Sequence, residues 1–442
     1  MFRDLNLDKR LLRALDDLGY TTPTLIQEKV FSVAMSGVDL CGIAQTGTGK
    51  TLAYLLPLLN QWKYDKAREP QILVLVPTRE LVVQVVDVAR SLSAHLGATI
   101  TGVYGGVNIN TQRLQFAEGA DVLVATPGRF YDLAVTGAFK VRSIKKLVID
   151  EVDEMLNLGF RAQLRNIPDL LPQRRQNLLF SATMIPEVEA FMQEYFPDPT
   201  RVEAAPAGTP VAGITQSAYA VPNFHTKVNL LRLLLKDEAF RKVLVFTASK
   251  AQADELFGML AEDTEGGMGL IHSNKEQNHR INTVRQFRDG SLRVLVATDI
   301  VARGIDVTGV SHVINFDLPD EPASYIHRIG RTGRADQRGN AISLVLQKDA
   351  ATVEAIEALM GMQLPFAELP EALEISTVLT ADELPTVYMK DTPPPKKREE
   401  GGAAFHERSA KRQKVNVRVS RREQMQQKYG KPIKRGAKKK KR

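Results

Sequence analysis

The chain has 442 residues, 43% of them hydrophobic, one cysteine and a formal net charge of +8. That length leaves room for two or three domains with substantial cores, and no apolar run is long enough to cross a bilayer. The lone Cys41 excludes an intrachain disulfide or a zinc site built from cysteines, and its place in an apolar strand points to packing. Charge is unevenly spread: from Lys396 to Arg442, 19 Lys and Arg face 4 Asp and Glu, so this stretch carries +15 and residues 1–395 carry −7. The opening Met1 to Asp8 has acids where a signal peptide has its apolar core, so a cytoplasmic protein is expected.

In chain order, residues 1–37 read as helical, with Leu11, Leu12, Leu15 and Leu18 at helical spacing before Gly19, and Ile26, Val30 and Phe31 after Pro23. Short apolar runs then alternate with helical stretches: Val38 to Ile43, Ile72 to Val76, Val122 to Ala125, Leu147 to Ile149 and Leu178 to Phe180. Continuous apolar strands separated by crossover-length segments predict a parallel sheet covered on both faces. From Phe196 to Pro210 the chain is rich in Pro, Gly and Ala without periodicity and reads as a break between domains. The rhythm resumes at Val243 to Phe246, Val294 to Ala297, Val313 to Phe316 and Ile342 to Leu346, giving a second α/β domain. After about residue 375 the order fades into a Lys/Arg-rich, aromatic-poor stretch, read as a flexible basic arm. The expected division is a helical region 1–36, domain 1 over 37–205, a linker 206–215, domain 2 over 216–375 and a disordered basic tail 376–442.

The run Ala44-Gln45-Thr46-Gly47-Thr48-Gly49-Lys50-Thr51 follows a strand and opens a helix. Such a turn aims several backbone N–H groups and a positive helix end at one spot, which suits a polyphosphate. Gly47 and Gly49 permit close approach, Lys50 would reach the outer phosphates and Thr51 would offer its hydroxyl to magnesium. Ala44 stands where the usual pattern has its first glycine, and an ordinary strand–helix turn is the competing reading. Asp150-Glu151-Val152-Asp153 ends the strand Leu147 to Ile149, where open parallel sheets keep their ligands and where carboxylates hold magnesium and align water. A solvated acidic helix start is the alternative there.

With these and further motifs in order, the chain resembles the DEAD-box RNA helicases, superfamily 2 ATPases with two RecA-like domains, from Phe2 to about Val345. The resemblance implies that Gly19 to Gln27 is an adenine-reading segment, with Phe2 and Tyr20 packing on the base and Gln27 selecting it. Without the family, the two aromatics would read as core and Gln27 as surface. It assigns Thr46, Gly47, Thr48, Gly49, Lys50 and Thr51 to the phosphates of ATP, Asp306 to its ribose, and Thr51 with Asp150 to magnesium. Glu151 would align the attacking water. Asp153, Ser181 and Thr183 would couple the nucleotide to RNA. Arg79, Gly106, Thr126, Arg129, Arg280 and Thr298 would grip the RNA backbone, and Arg331 with Arg334 would neutralise charge on the transferring phosphoryl group. Two positions depart from the family pattern: Val152 replaces alanine and Ser273 replaces glycine.

The implied function is an RNA-dependent ATPase, likened to monomeric bacterial helicases, that locally opens short RNA duplexes or remodels RNA–protein complexes, in ribosome assembly or RNA turnover. Ribonucleoprotein or ribosomal-precursor partners are expected, and no membrane. An ATP-gated RNA clamp with little unwinding and a DNA-directed translocase are the rivals; a metabolic kinase lacks an acceptor site in domain 2. The tail would add salt-sensitive affinity through counterion release, or merely solubilise the chain.

Overall fold

The computed structural model describes residues 1–45, 47–196, 198–203, 213–299, 309–333, 339–384 and 421–430. Thr46, Asp306, Arg334, residues 206–212 of the expected linker and most of the basic tail lie outside them.

Seven strands form the first sheet: β1 (Leu40–Ile43), β2 (Ile72–Leu75), β3 (Ile100–Val103), β4 (Val122–Ala125), β5 (Lys146–Ile149), β6 (Gln176–Ser181) and β7 (Thr200–Glu203). They are ordered β3-β4-β2-β5-β6-β1-β7, and every pairing is parallel. Alternate side chains of one strand enter different cores, as a pleat with period two requires. Val74, Val122, Leu178 and Phe180 join the core beneath helices Leu25–Ser36, Lys50–Gln61 and Arg79–Leu92. Leu73, Leu75, Leu123 and Leu179 join the core on the other face, with Cys41. Burial pushes the Cys41 thiol up to about 11, as a packing role requires.

The second sheet comprises β8 (Ile214–Ala220), β9 (Val243–Thr247), β10 (Met268–Ile271), β11 (Val294–Thr298), β12 (His312–Asn315), β13 (Gly339–Val345) and β14 (Phe366–Ala367). Its order, β10-β11-β9-β12-β13-β8-β14, repeats the first sheet strand for strand, again all parallel. These are two RecA-like lobes.

Four segments differ from the sequence expectation. Thr200–Glu203, inside the stretch read as a break, is a strand paired to β1, and Ile214 and Thr215 of the expected linker belong to β8. Residues 376–384, expected to begin the tail, fold back onto helix Phe224–Leu234. Asn223 donates to Ser376 O (2.5 Å), Ser376 N–H donates to Thr226 Oγ1 (3.1 Å), and Glu383 Oε1 accepts from Phe224 N–H (2.6 Å). Within the tail, Arg421–Tyr429 is helical, being built from strong helix formers that no periodic apolar face announces.

The fold-back has a physical cause. Helix Phe224–Leu234 follows β8 as helix Lys50–Gln61 follows β1, so its N-terminus is the second lobe's counterpart of the glycine-rich turn. There Asn223 caps the helix by accepting from Thr226 N–H, and the Glu383 carboxylate takes the place an anion would occupy. Glu383→Ala is expected to remove about 1 kcal/mol of second-lobe stability. The readout is faster amide hydrogen exchange at the start of helix Phe224–Leu234, with the first lobe unchanged.

Candidate active site and nucleic-acid groove

The turn after β1 is shaped by two glycines in the left-handed region, Gly47 at φ 83° and Gly49 at φ 89°. Gly49 caps helix Lys50–Gln61, and a Cβ there would lie 2.3 Å from Gln27 Nε2, so no side chain fits. Gln27 explains the closeness: its amide donates to Gly49 O (3.1 Å), and its Oε1 accepts from Thr24 N–H (2.9 Å). Thr24 Oγ1 donates to Thr48 O (2.9 Å), and Thr48 Oγ1 to Gln45 O (2.8 Å). Gln27 is thus a buried strut that retains one N–H and one lone pair for a ligand edge. Tyr20 is 47% exposed and offers an open ring, whereas Phe2 is 3% exposed and packed into the core.

Lys50 Nζ stands 4.0 Å from Asp150 Oδ1 at the end of β5. Both atoms are buried without a hydrogen bond, an arrangement that costs free energy until further polar groups arrive. Burial pushes Asp150 up to about 6, with Glu151 adding to the rise and Lys50 opposing it. A cationic donor beside a desolvated carboxylate and a threonine hydroxyl is a donor set that fits phosphate oxygens with a divalent cation. Tyr54, one turn beyond Thr51, is fully buried with its hydroxyl against Thr51 and Asp150, and burial holds it well above its ordinary pKa. Glu151 adopts φ 55°, a left-handed conformation costly for a residue with a Cβ and concentrated at functional positions.

Asp153 lies on the first turn of helix Val152–Asn157. Its Oδ2 accepts from Thr183 Oγ1 (2.8 Å), Thr183 N–H (2.9 Å) and Ala182 N–H (3.2 Å), while Ser181 Oγ donates to Thr183 O (2.6 Å). Ser181 O also accepts from Ala44 N–H (3.0 Å), which ties this corner to the start of the phosphate turn. Val152 is fully buried among apolar neighbours, so the larger side chain is absorbed by packing.

Helix Pro322–Ile329 of the second lobe reaches the same corner. His327 Nδ1 is 3.1 Å from Glu154 Oε2, and Nε2 is 3.6 Å from Asp153 Oδ2. Burial alone would raise Asp153; the hydrogen bond and charge of His327, with Lys50 and Thr183, outweigh it and hold the carboxyl well below its usual range. Arg328 turns away, bound to Asp299 at 2.5 and 2.7 Å, and the buried Arg331 donates from Nε to His327 O (3.2 Å).

A groove of about 740 Å³ is lined from both lobes. It gathers five of the six expected backbone contacts, Arg79, Gly106, Thr126, Arg129 and Arg280, together with Ser273; Thr298 ends β11 and is not part of the lining. Gly106 is at φ 80°, and a Cβ there would run into the Arg79 guanidinium. Ser273 has an ordinary backbone, so its departure from glycine brings no strain. The floor is polar and interlobe: Arg280 pairs with Glu80 (2.6 Å), and Gln277 donates to Glu80 (3.0 Å) and accepts from Arg79 (3.2 Å) and Arg280 (3.1 Å).

The DEAD/DEAH box helicase model matches residues 24–191, and the helicase conserved C-terminal domain model matches 226–336. The DEAD-box ATP-dependent RNA helicase RhpA of Helicobacter pylori is 37% identical over 379 residues, which are 86% of this chain and 76% of that protein. The ATP-dependent RNA helicase RhlB of Shewanella frigidimarina is 36% identical over 82% of this chain and 85% of its own. A structure of S. cerevisiae Dbp5 bound to RNA and ADP BeF3 superposes with a TM-score of 0.77 at 30% identity, over 83% of this chain and 95% of that one. Two RecA-like lobes around an ATP-hydrolysing centre define the class. The chain belongs to the DEAD-box ATP-dependent RNA helicases.

Reading motifs one at a time does not find Glu80, Gln277, His327 or Glu154, because their roles depend on the facing lobe. Tyr54 is disguised by the apolar run around it. Gly49→Ala, which forces a Cβ onto Gln27 at a left-handed position, is expected to cost about 1–3 kcal/mol locally. ATP-analogue affinity should fall at least tenfold in a titration with fluorescent nucleotide.

Proposed function

We propose that the protein is an RNA-dependent ATPase that locally separates short RNA duplexes or remodels RNA–protein complexes, with hydrolysis gated by closure of its two lobes on ATP and single-stranded RNA. The observation that carries this reading is the groove: arginines and small residues from both lobes line one channel, and the same pair of lobes meets through His327 at Asp153 and Glu154. Backbone gripping without base reading suits that lining. The RNA and ADP BeF3 in the Dbp5 complex support the same pair of ligands here.

In this reading Tyr20 stacks on adenine, Gln27 spends its remaining N–H and lone pair on the base edge, and Phe2 backs the pocket from the core. The turn Gly47 to Gly49 and Lys50 hold the phosphates. Thr51 and Asp150 would hold magnesium, which supplies charge neutralisation at the phosphate oxygens. Glu151 aligns the attacking water. Arg331 reaches the terminal phosphate only when the lobes meet, so RNA that favours closure accelerates hydrolysis. The roles expected of Thr46, Asp306 and Arg334 follow the family pattern. Asp153, Ser181 and Thr183 convey the state of the site to the groove, where Arg79, Gly106, Thr126, Arg129 and Arg280, with Thr298, hold the RNA backbone. The basic tail adds affinity that salt weakens.

ATP turnover is expected to rise strongly with single-stranded RNA and little with single-stranded DNA, and displacement of a short RNA strand should proceed through repeated turnovers. Equal stimulation by DNA would point to a DNA translocase, and stable RNA binding without repeated displacement to a clamp. Glu151→Gln should retain ATP binding while steady-state hydrolysis falls by at least a hundredfold. Arg280→Ala should weaken RNA binding by about 1–3 kcal/mol whatever the sequence and lower the salt slope by about one, in titrations from low to high salt.

A further inference from the structure

The interlobe contact at His327 brings three buried ionisable side chains together. One imidazole lies between two carboxylates, with Glu154 Oε2 at 3.1 Å from Nδ1 and Asp153 Oδ2 at 3.6 Å from Nε2, and all three side chains are buried. A neutral imidazole has one N–H and one lone pair. With a carboxylate at each ring nitrogen, either tautomer would aim its lone pair at an anionic oxygen where water does not intervene. Only the imidazolium, with an N–H at both nitrogens, suits both neighbours. Asp153 alone would not force this, because its Oδ2 is already served by Ala182 and Thr183. Glu154 makes the difference.

We infer that Glu154 is a positioning residue for lobe closure: it holds His327 as a cation against Asp153, so that bringing the lobes together takes up a proton. This rests on the closure proposed above and adds a proton to it. Among the described residues, these are the charges that face the ring or its carboxylate partners: Asp153 and Glu154 face the ring from helix Val152–Asn157, and Lys50 is a further charge acting on Asp153. On its own helix, Arg328 is bound to Asp299, and Arg331 reaches the His327 carbonyl rather than the ring.

The sign follows from linkage. Apart from the first lobe, His327 has an imidazole's ordinary value of about 6.5. In the contact, burial works to lower it, but the hydrogen bonds and charges of Asp153 and Glu154 prevail and raise it to about 9. Closure is therefore strongest below about 6.5 and weakens as pH rises toward about 9, by up to about tenfold per pH unit. Burial raises Asp150 only to about 6, which is below that window.

The test measures the affinity of the full chain for fluorescent single-stranded RNA with a non-hydrolysable ATP analogue and Mg2+, from pH 7.0 to 9.5 at constant ionic strength. The wild type should lose affinity with rising pH. Glu154→Gln keeps an acceptor for Nδ1 but not the charge, and should bind about tenfold more weakly at pH 7, with a flatter profile that levels off about one pH unit earlier. His327→Gln, on the opposite lobe, should abolish the dependence in this window and serves as the second arm if Glu154→Gln folds poorly. Parallel profiles for wild type and Glu154→Gln, or a wild-type slope in His327→Gln, would overturn the inference while leaving the helicase reading intact. A wild type that binds no RNA with nucleotide at pH 7 would instead remove that reading and this inference together.

Discussion

One buried carboxylate, that of Asp153, is the point on which the two lobes and the two ligand sites converge. It lies three residues from Asp150, accepts hydrogen bonds from Ala182 and Thr183 in its own lobe, and faces His327 of the other. An ionised group so deeply buried is tolerable only while every neighbour is in place. In the proposed function that sensitivity lets the corner act as a sensor: displacement of Asp150 to Asp153 would be felt at Ser181 to Thr183, and withdrawal of the second lobe would remove His327, which helps to hold the Asp153 charge. The groove has the same construction, because Glu80 of one lobe is held by Arg280 and Gln277 of the other.

The fold places one chemistry twice and uses it once. Both sheets have the same strand order, and in both a helix follows the first strand of the lobe. In the first lobe that junction is a turn of two left-handed glycines, Gly47 and Gly49, proposed above to hold phosphate. In the second, Asn223 caps the helix and the Glu383 carboxylate covers it, so the counterpart is closed. The second lobe reaches the first through a different helix, the one between β12 and β13 that carries His327 and leads to Arg331.

What the sequence revealed follows from burial. Interior strands such as β2, β4, β5 and β9 are covered on both faces and read as continuous apolar runs. The strands it concealed are β3, β7, β10 and β14, which are the edges of the two sheets, and β8, which alternates beside an edge. Thr200–Glu203 buries only Val202, so its composition resembles a connection, and the strand exists because β1 offers an unpaired edge. At the site, motifs confined to one turn, such as Gly47 to Thr51, were visible because their spacing is local. The pairs His327 with Glu154 and Arg280 with Glu80 join residues far apart in the chain, and no periodicity records them. Phe2 shows the converse, an aromatic at a family position that sits in the core.

The central claim is that a phosphate cradle on one lobe and a guanidinium on the other become a single site only when ATP and RNA are both bound. It is tested most directly by single-molecule energy transfer between dyes placed on the outer surfaces of the two lobes. The account predicts a compact state populated with ATP analogue and RNA together, and lost when either is withheld. A distance between the lobes that is the same under all these conditions would contradict it.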